Sequence, residues 1–183
     1  MQPPVFEFEY NLDKQKLLDD YNKKARLNVG YRYLAGKNYE DRIDDESKAE
    51  FSRTTVMPIR KGYAYNVAKK LVNDIAGDRE FMCHYLAFTN DDLVEWHIDK
   101  RPKDYCINAS RINIFLTGKS YTSFRDKNWW YECAVVDVMG REHRYEHDGD
   151  DQRVMFQIGI KGISHDELCK KLFQRKTIEW LQY

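Results

Sequence analysis

A chain of 183 residues can bury a substantial core but is short for two domains, so one unit spanning residues 1–183 is expected. Its 30 Lys and Arg side chains cancel 30 Asp and Glu side chains, which removes the global field that draws a protein to nucleic acid and argues against that class of partner. No stretch approaches the roughly 18 consecutive apolar residues of a membrane span, and the acidic start MQPPVFEFEYNLDKQ lacks the basic flank of a secretory leader, so a cytoplasmic protein with no membrane partner is expected.

PVFEFEY alternates apolar and polar residues and reads as a first strand. Asp13 then offers a cap to a helix in which Leu17, Leu18, Tyr21 and Ala25 share one face. Residues 36–52 are rich in charge and poor in periodicity, which predicts a solvated loop that either connects elements or borders a site. Ala64, Val67, Ala68, Leu71, Val72 and Ile75 recur at helical spacing, predicting a helix over residues 63–76 that stops at Gly77. From Phe81 the pattern changes. FMCHYLAF, VEWHID, INIFL, SYTSF, WWYECAVVDV and RVMFQIGI are short β-rich runs divided by polar turns, and they predict a sandwich or small barrel within residues 81–160. Ser164 and Glu167 form a capping-box pattern, so residues 161–183 should close the chain with a helix. With residues 1–80 as a supporting region of helix and strand, the class is α+β, a β core flanked by helices. The four cysteines, at 83, 106, 133 and 169, contain no CxxC pair and read as reduced, buried thiols.

One short run carries chemistry. In Trp96-His97-Ile98-Asp99 the histidine and aspartate are two apart, and a strand's period of two would place both on one face, with Val94, Trp96 and Ile98 on the other. An isolated HxD is also what two ordinary surface polars look like. Here, however, a further histidine, His143, follows the run CAVVDV and the Met139-Gly140 turn, with His147 as its rival four residues on. Two imidazoles and one carboxylate occupy one face of an octahedron and leave three positions for other ligands, the arrangement of non-haem Fe(II) oxygenases. Zinc is the chemical competitor for such donors, but no HExxH helix is present. Ten residues after His143, Arg153 opens the apolar run VMFQIGI. Such an arginine is commonly a solvated strand end; buried, its guanidinium would take a carboxylate bidentately and anchor a dicarboxylic co-substrate.

WHIDK followed by RINIFL, AVVDVMGREHRYE and QRVMFQIGI resembles the 2-oxoglutarate and Fe(II)-dependent oxygenase superfamily, specifically its small prolyl-4-hydroxylase-like members of bacterial and phage type, over roughly residues 81–160. The resemblance implies a double-stranded β-helix core (jelly-roll, cupin-like), Fe(II) held by His97, Asp99 and His143, and the far carboxylate of 2-oxoglutarate held by Arg153. His143-Arg144-Tyr145 departs from the family's HxV or HRV, and the shorter His-to-Arg interval of alkylation-repair members keeps His147 as the alternative. By the same resemblance Tyr85 would bond the far carboxylate. Arg111 and Asn113, which alternate with Ile112 and Ile114, would meet the oxoacid end. For these three a structural polar role is the alternative. The implied activity is hydroxylation of a peptide or small-molecule substrate, foremost a prolyl or other peptidyl side chain, using O2 and releasing succinate and CO2. The rival reading is a non-catalytic cupin-like metal-binding or structural protein. A dioxygenase of the cysteine or ring-cleaving type fits less well, because those sites are rich in histidine and Asp99 is a carboxylate. Trp129, Trp130 and Tyr131 read as a core or rim cluster, and His84 and His165 as strand-edge and helix-start residues.

Overall fold

A computed structural model describes residues 3–26, 31–32, 55–88, 96, 98, 109–117, 119–148 and 152–180. In chain order these form β1 (Val5–Glu7), α1 (Lys14–Arg26), β2 (Tyr31–Arg32), β3 (Thr55–Ile59), α2 (Tyr63–Ala76), β4 (Phe81–Phe88), β5 (Ala109–Phe115), β6 (Lys119–Phe124), β7 (Asn128–Trp130), β8 (Cys133–Val136), β9 (His143–Asp148), β10 (Arg153–Lys161) and α3 (His165–Trp180). A seven-stranded sheet runs β1-β8-β5-β10-β4-β3-β2, and a three-stranded sheet runs β7-β6-β9. All described pairings are antiparallel.

The helices begin and end for local reasons. Asp13 Oδ1 accepts the Lys16 amide at 2.9 Å, satisfying an amide that the first turn of α1 cannot. Lys23, Lys24 and Arg26 sit in the last turn of that helix, where positive charge suits the dipole. Gly77, at φ +82°, ends α2 while its amide bonds Asn73 O, a left-handed backbone that favours glycine. Ser164 Oγ accepts the Glu167 amide at 3.2 Å and starts α3. All three helices contribute to one apolar layer on the large sheet. Leu17 and Tyr21, then Ala68, Leu71 and Ile75, then Leu168 and Leu172 pack with Cys83, Tyr85, Ile112, Ile114, Phe156 and Ile158.

The opposite face of the large sheet meets the small sheet. Leu86, Phe88, Phe115, Val136 and Met155 cluster there with Phe124 and Tyr145. Two departures from the sequence expectation matter. WWYECAVVDV is two strands in different sheets, β7 in the small one and β8 in the large one, because the chain crosses at Tyr131 and Glu132. In VEWHID, Trp96 lies in a bend and Ile98 lies outside any strand and is 49% exposed, so the period-two argument does not apply at these residues. The 36–52 loop lies outside the described residues.

The first strand is held at both ends of its pairing. Val5 faces Val136 across β1 and β8, the Asp137 amide bonds Pro4 O at 2.8 Å, and His165 Nε2 donates to Pro3 O at 2.8 Å. Cys83, Cys133 and Cys169 are buried and unpaired. Burial pushes each thiol up to about 12, so none is a reactive thiolate at neutral pH. Cys106 is outside the described residues. Among the described residues no helix is long and apolar enough to cross a membrane.

Candidate functional site

A tight turn sets the start of β9. The Gly140 amide bonds Asp137 Oδ1 at 3.1 Å and the Arg141 amide bonds Asp137 O. A Cβ on Gly140 would lie 2.7 Å from Asp137 Oδ1, so a larger residue here would displace the Asp137 carboxylate that holds the turn. Beyond it, alternation divides β9. Arg144 and Glu146 form an ion pair at 2.6 Å, and Glu146 also accepts hydrogen bonds from Ser123 and Tyr121. Burial alone would raise the Glu146 carboxyl, but the bonds from Ser123, Tyr121 and Arg144 outweigh it and hold it below its ordinary 4.5.

The other two described side chains of β9, His143 and Tyr145, turn toward the large sheet and are buried. His143 Nδ1 lies 3.2 Å from Arg141 O. A carbonyl only accepts, so Nδ1 carries the proton and Nε2 of the neutral ring carries the lone pair. In that tautomer Nε2 is the nitrogen able to ligate a metal, with the ring oriented by a backbone carbonyl. The Tyr145 ring meets the imidazole edge-on at 5.2 Å and 76°.

Arg153, at the start of β10 and in register with Phe88, is 1% exposed, which rules out a solvated strand end. Its guanidinium carbon lies 4.1 Å from the Phe115 ring centre, 5.3 Å from Phe88 and 5.6 Å from Tyr145, a cage in which cation–π attraction partly replaces lost hydration. Nη1 donates to Glu146 O at 3.0 Å. Nε and Nη2 are buried with no hydrogen-bond partner among the described residues, and these two donors share one edge of the guanidinium, the fork that fits a carboxylate. Burial pushes Arg153 down to about 10, which leaves it charged throughout the neutral range.

A polar network fills the space beside this arginine. Gln157 Nε2 donates to Asn113 Oδ1 at 2.9 Å. Asn113 Nδ2 donates to the Tyr131 hydroxyl at 3.0 Å, which in turn lies 2.7 Å from Thr122 Oγ1. The Tyr145 hydroxyl accepts from both amides at 3.4 Å. Arg111 shares the Asn113 face, opposite Gly159; a Cβ on Gly159 would collide with the Arg111 guanidinium, so the glycine makes room for it.

Tyr85 is placed elsewhere. Its register partner is Phe156, and its hydroxyl donates to Leu17 O and Asp20 Oδ2, each at 3.0 Å. It therefore belongs to the helix-covered face, across the sheet from the Arg153 guanidinium, and the expectation that both grip one carboxylate is corrected. His97 and Asp99 lie outside the described residues. Of their sequence neighbours, Trp96 and Ile98 are described, and the Arg125 and Arg144 guanidinium groups lie 4.2 and 4.9 Å from the Trp96 ring centre. His147, on β9, is in register with Ser120 on β6, and its side chain is outside the description. Among the described residues no three His, Cys, Asp or Glu side chains gather as a metal site. Sequence reasoning missed Tyr145 and Gln157. Parity would have found both, since Tyr145 is two residues from His143 and Gln157 is four from Arg153, each pair on one strand face.

Two facing antiparallel sheets with helices on the outer layer define an α+β double-stranded β-helix. No protein-family model matches the chain, and no curated protein matches it in sequence. Solved structures do match. A prolyl-4-hydroxylase from Pseudomonas putida is similar with a TM-score of 0.56 at 12% identity, over 86% of this chain and 92% of that one. HygX from Streptomyces hygroscopicus, with nickel, 2-oxoglutarate and hygromycin B bound, gives 0.51 at 10% identity, over 86% and 81%. An oxidoreductase of the 2OG-Fe(II) oxygenase family from Burkholderia pseudomallei gives 0.50 at 13% identity, over 86% and 84%. At these identities the likeness is one of fold.

Proposed function

We propose that the chain, acting as one unit over residues 1–183, is an Fe(II)- and 2-oxoglutarate-dependent oxygenase. The observation that carries this reading is the Nε and Nη2 edge of buried Arg153, a carboxylate-sized fork left unsatisfied by the described residues in the space His143 also faces. A buried cation with two unused donors is costly unless an anion completes it. The His143 tautomer adds support, because Nε2 carries a lone pair suited to a metal. In this reading His97, Asp99 and His143 hold Fe(II), and Arg153 holds the far carboxylate of 2-oxoglutarate. Together the metal and oxoacid would supply the oxidising power, drawn from O2, with release of succinate and CO2.

The chain's own residues bind, orient and exclude water. Phe88, Phe115 and Tyr145 shield the Arg153 guanidinium, which strengthens its pairing with a carboxylate. The Arg141 carbonyl fixes the His143 ring. His143 is preferred to His147 because its ring is buried and anchored through Nδ1. A prolyl or other peptidyl side chain is the favoured substrate, supported by the likeness to the Pseudomonas putida prolyl-4-hydroxylase.

The test is anaerobic thermal denaturation with Fe(II), then Fe(II) plus 2-oxoglutarate, followed by admission of air and assay of succinate. Wild type should gain a further rise in melting temperature from 2-oxoglutarate and then form succinate. Arg153→Ala should lose both while keeping the shift from metal alone. A wild type that neither responds to 2-oxoglutarate nor forms succinate would overturn the reading.

A further inference from the structure

The carbonyl that orients His143 belongs to a turn built around one side chain. After β8 the chain reverses over residues 137–141, and Asp137 meets that turn with every polar group it has. Its amide donates to Pro4 O at 2.8 Å, and its carbonyl accepts the Arg141 amide at 3.2 Å. Its Oδ1 accepts the Gly140 amide at 3.1 Å, and its Oδ2 lies 3.3 Å from Arg141 Nε. Val138 and Met139 anchor the same turn by burying their side chains between the sheets. On the far side of the Arg141 carbonyl, Arg125 pairs with Glu142 at 2.7 Å, and β9 begins with His143 in register with Phe124. The peptide that carries this carbonyl is therefore bracketed between a turn held by Asp137 and a paired strand, and its oxygen lies 3.2 Å from His143 Nδ1.

Resting on the function proposed above, we infer that Asp137 is a positioning residue for the proposed metal ligand His143, acting through the Arg141 peptide. A neutral imidazole carries its proton on the nitrogen that finds an acceptor. An Arg141 carbonyl fixed in place keeps the proton on Nδ1, so the ring can meet a metal through Nε2 without first moving a proton or turning. Without the Asp137 carboxylate the Gly140 amide and the Arg141 guanidinium lose their common partner, the carbonyl is free to rotate, and the ring loses both its tautomer and its direction. Gly140 belongs to the same device. A Cβ there would lie 2.7 Å from Asp137 Oδ1 and 3.1 Å from Oδ2, and would drive the carboxylate off both partners.

The experiment reads the tautomer of the metal-free protein and the metal affinity separately. Long-range nitrogen–proton NMR correlations at about pH 8, where histidine is neutral, distinguish Nδ1–H from Nε2–H; the His143 signals are those missing from His143→Gln. Titration calorimetry with Mn(II) supplies the affinity. Wild type should show His143 protonated on Nδ1. Asp137→Ala should shift the proton toward Nε2 and weaken Mn(II) binding by about ten- to hundredfold. Asp137→Asn keeps the Oδ1 acceptor, and should keep the tautomer and hold Mn(II) within about threefold of wild type. Should Asp137→Ala fail to fold, Gly140→Ala displaces the carboxylate with a single methyl group and should move both readouts the same way. A residue that merely stabilised the turn would lower the melting temperature and leave the tautomer untouched. An unchanged His143 tautomer or unchanged Mn(II) affinity in the folded Ala variant, or an Asn variant as impaired as Asp137→Ala, overturns the inference alone. Wild type that binds no Mn(II) overturns the proposed function and with it any part of Asp137 in metal binding, and the tautomer by itself then decides whether Asp137 positions the ring.

Discussion

The two faces of the seven-stranded sheet are built from the same strands and have opposite characters. On β5, Ile112 and Ile114 enter the helix-covered layer, whereas Arg111 and Asn113 enter the space between the sheets. On β10, Phe156, Ile158 and Ile160 join the helices, whereas Arg153, Met155 and Gln157 face inward. The helix side is held by non-directional apolar packing and tolerates volume-conserving changes. The inner side sets an apolar cluster around Phe88, Phe115 and Met155 beside directional bonds among buried polar groups such as Asn113 and Gln157, which are sensitive to the loss of a partner. A period of two thus lets adjacent residues of one strand serve stability and chemistry separately.

Arg153→Leu should produce the largest effect. It should weaken 2-oxoglutarate by about two orders of magnitude or more, and because it removes a buried charge the melting temperature of the ligand-free protein should not fall. Titration calorimetry and thermal denaturation read the two quantities separately. Ile114→Ala should do the reverse. It should cost about 2–5 kcal/mol in urea unfolding and leave the 2-oxoglutarate affinity of the folded protein unchanged; a loss of affinity would break the division between the faces. Its strand neighbour Asn113→Ala should cost about 1–3 kcal/mol, because Gln157 Nε2 and the Tyr131 hydroxyl each lose a buried partner, and should also loosen Tyr145. Affinity and stability should then fall together.

The smallest effect lies on the outer side of the small sheet. Glu146 titrates below its ordinary 4.5 in the folded protein. Its stabilisation is therefore fully present above 4.5 and is lost as the pH falls through the folded value. Glu146→Gln should flatten that acid limb of a stability–pH curve while leaving 2-oxoglutarate binding at neutral pH intact. An acid limb as steep as that of wild type would assign the loss to other carboxylates.

Much of the fold was legible because local signals agreed with tertiary ones. FMCHYLAF and RVMFQIGI are long, apolar and bounded by polar turns, and they form β4 and β10; the 63–76 helix carries both its periodicity and its stop. The strand β3 was missed because Pro58 in TVMPI argues against a strand, yet Pro58 is exposed and pairs in register with His84. The break between β7 and β8 was hidden because Glu132 is a single polar residue in the otherwise apolar run WWYECAVV, which strand alternation alone would explain. Within the site, Arg153 was legible as a cation entering an apolar strand. Tyr85 was misplaced because only the register with Phe156 decides which face it takes, and register is a long-range property. The aromatic cage and the tyrosine contacting both His143 and Arg153 were illegible for the same reason. Their members come from β4, β5, β9 and β10 and meet only when the sheets face each other.

The pairing of Val5 with Val136 also governs how the chain can be made. A ribosome releases the first strand well before its partner exists, and β1 must wait, with its hydrogen-bonding groups in water, until β8 emerges. The seven-stranded sheet therefore cannot be completed in the order of synthesis. The early helices can form locally, but final closure is a late event of high sequence separation, the kind of step that slows folding and exposes strand edges meanwhile.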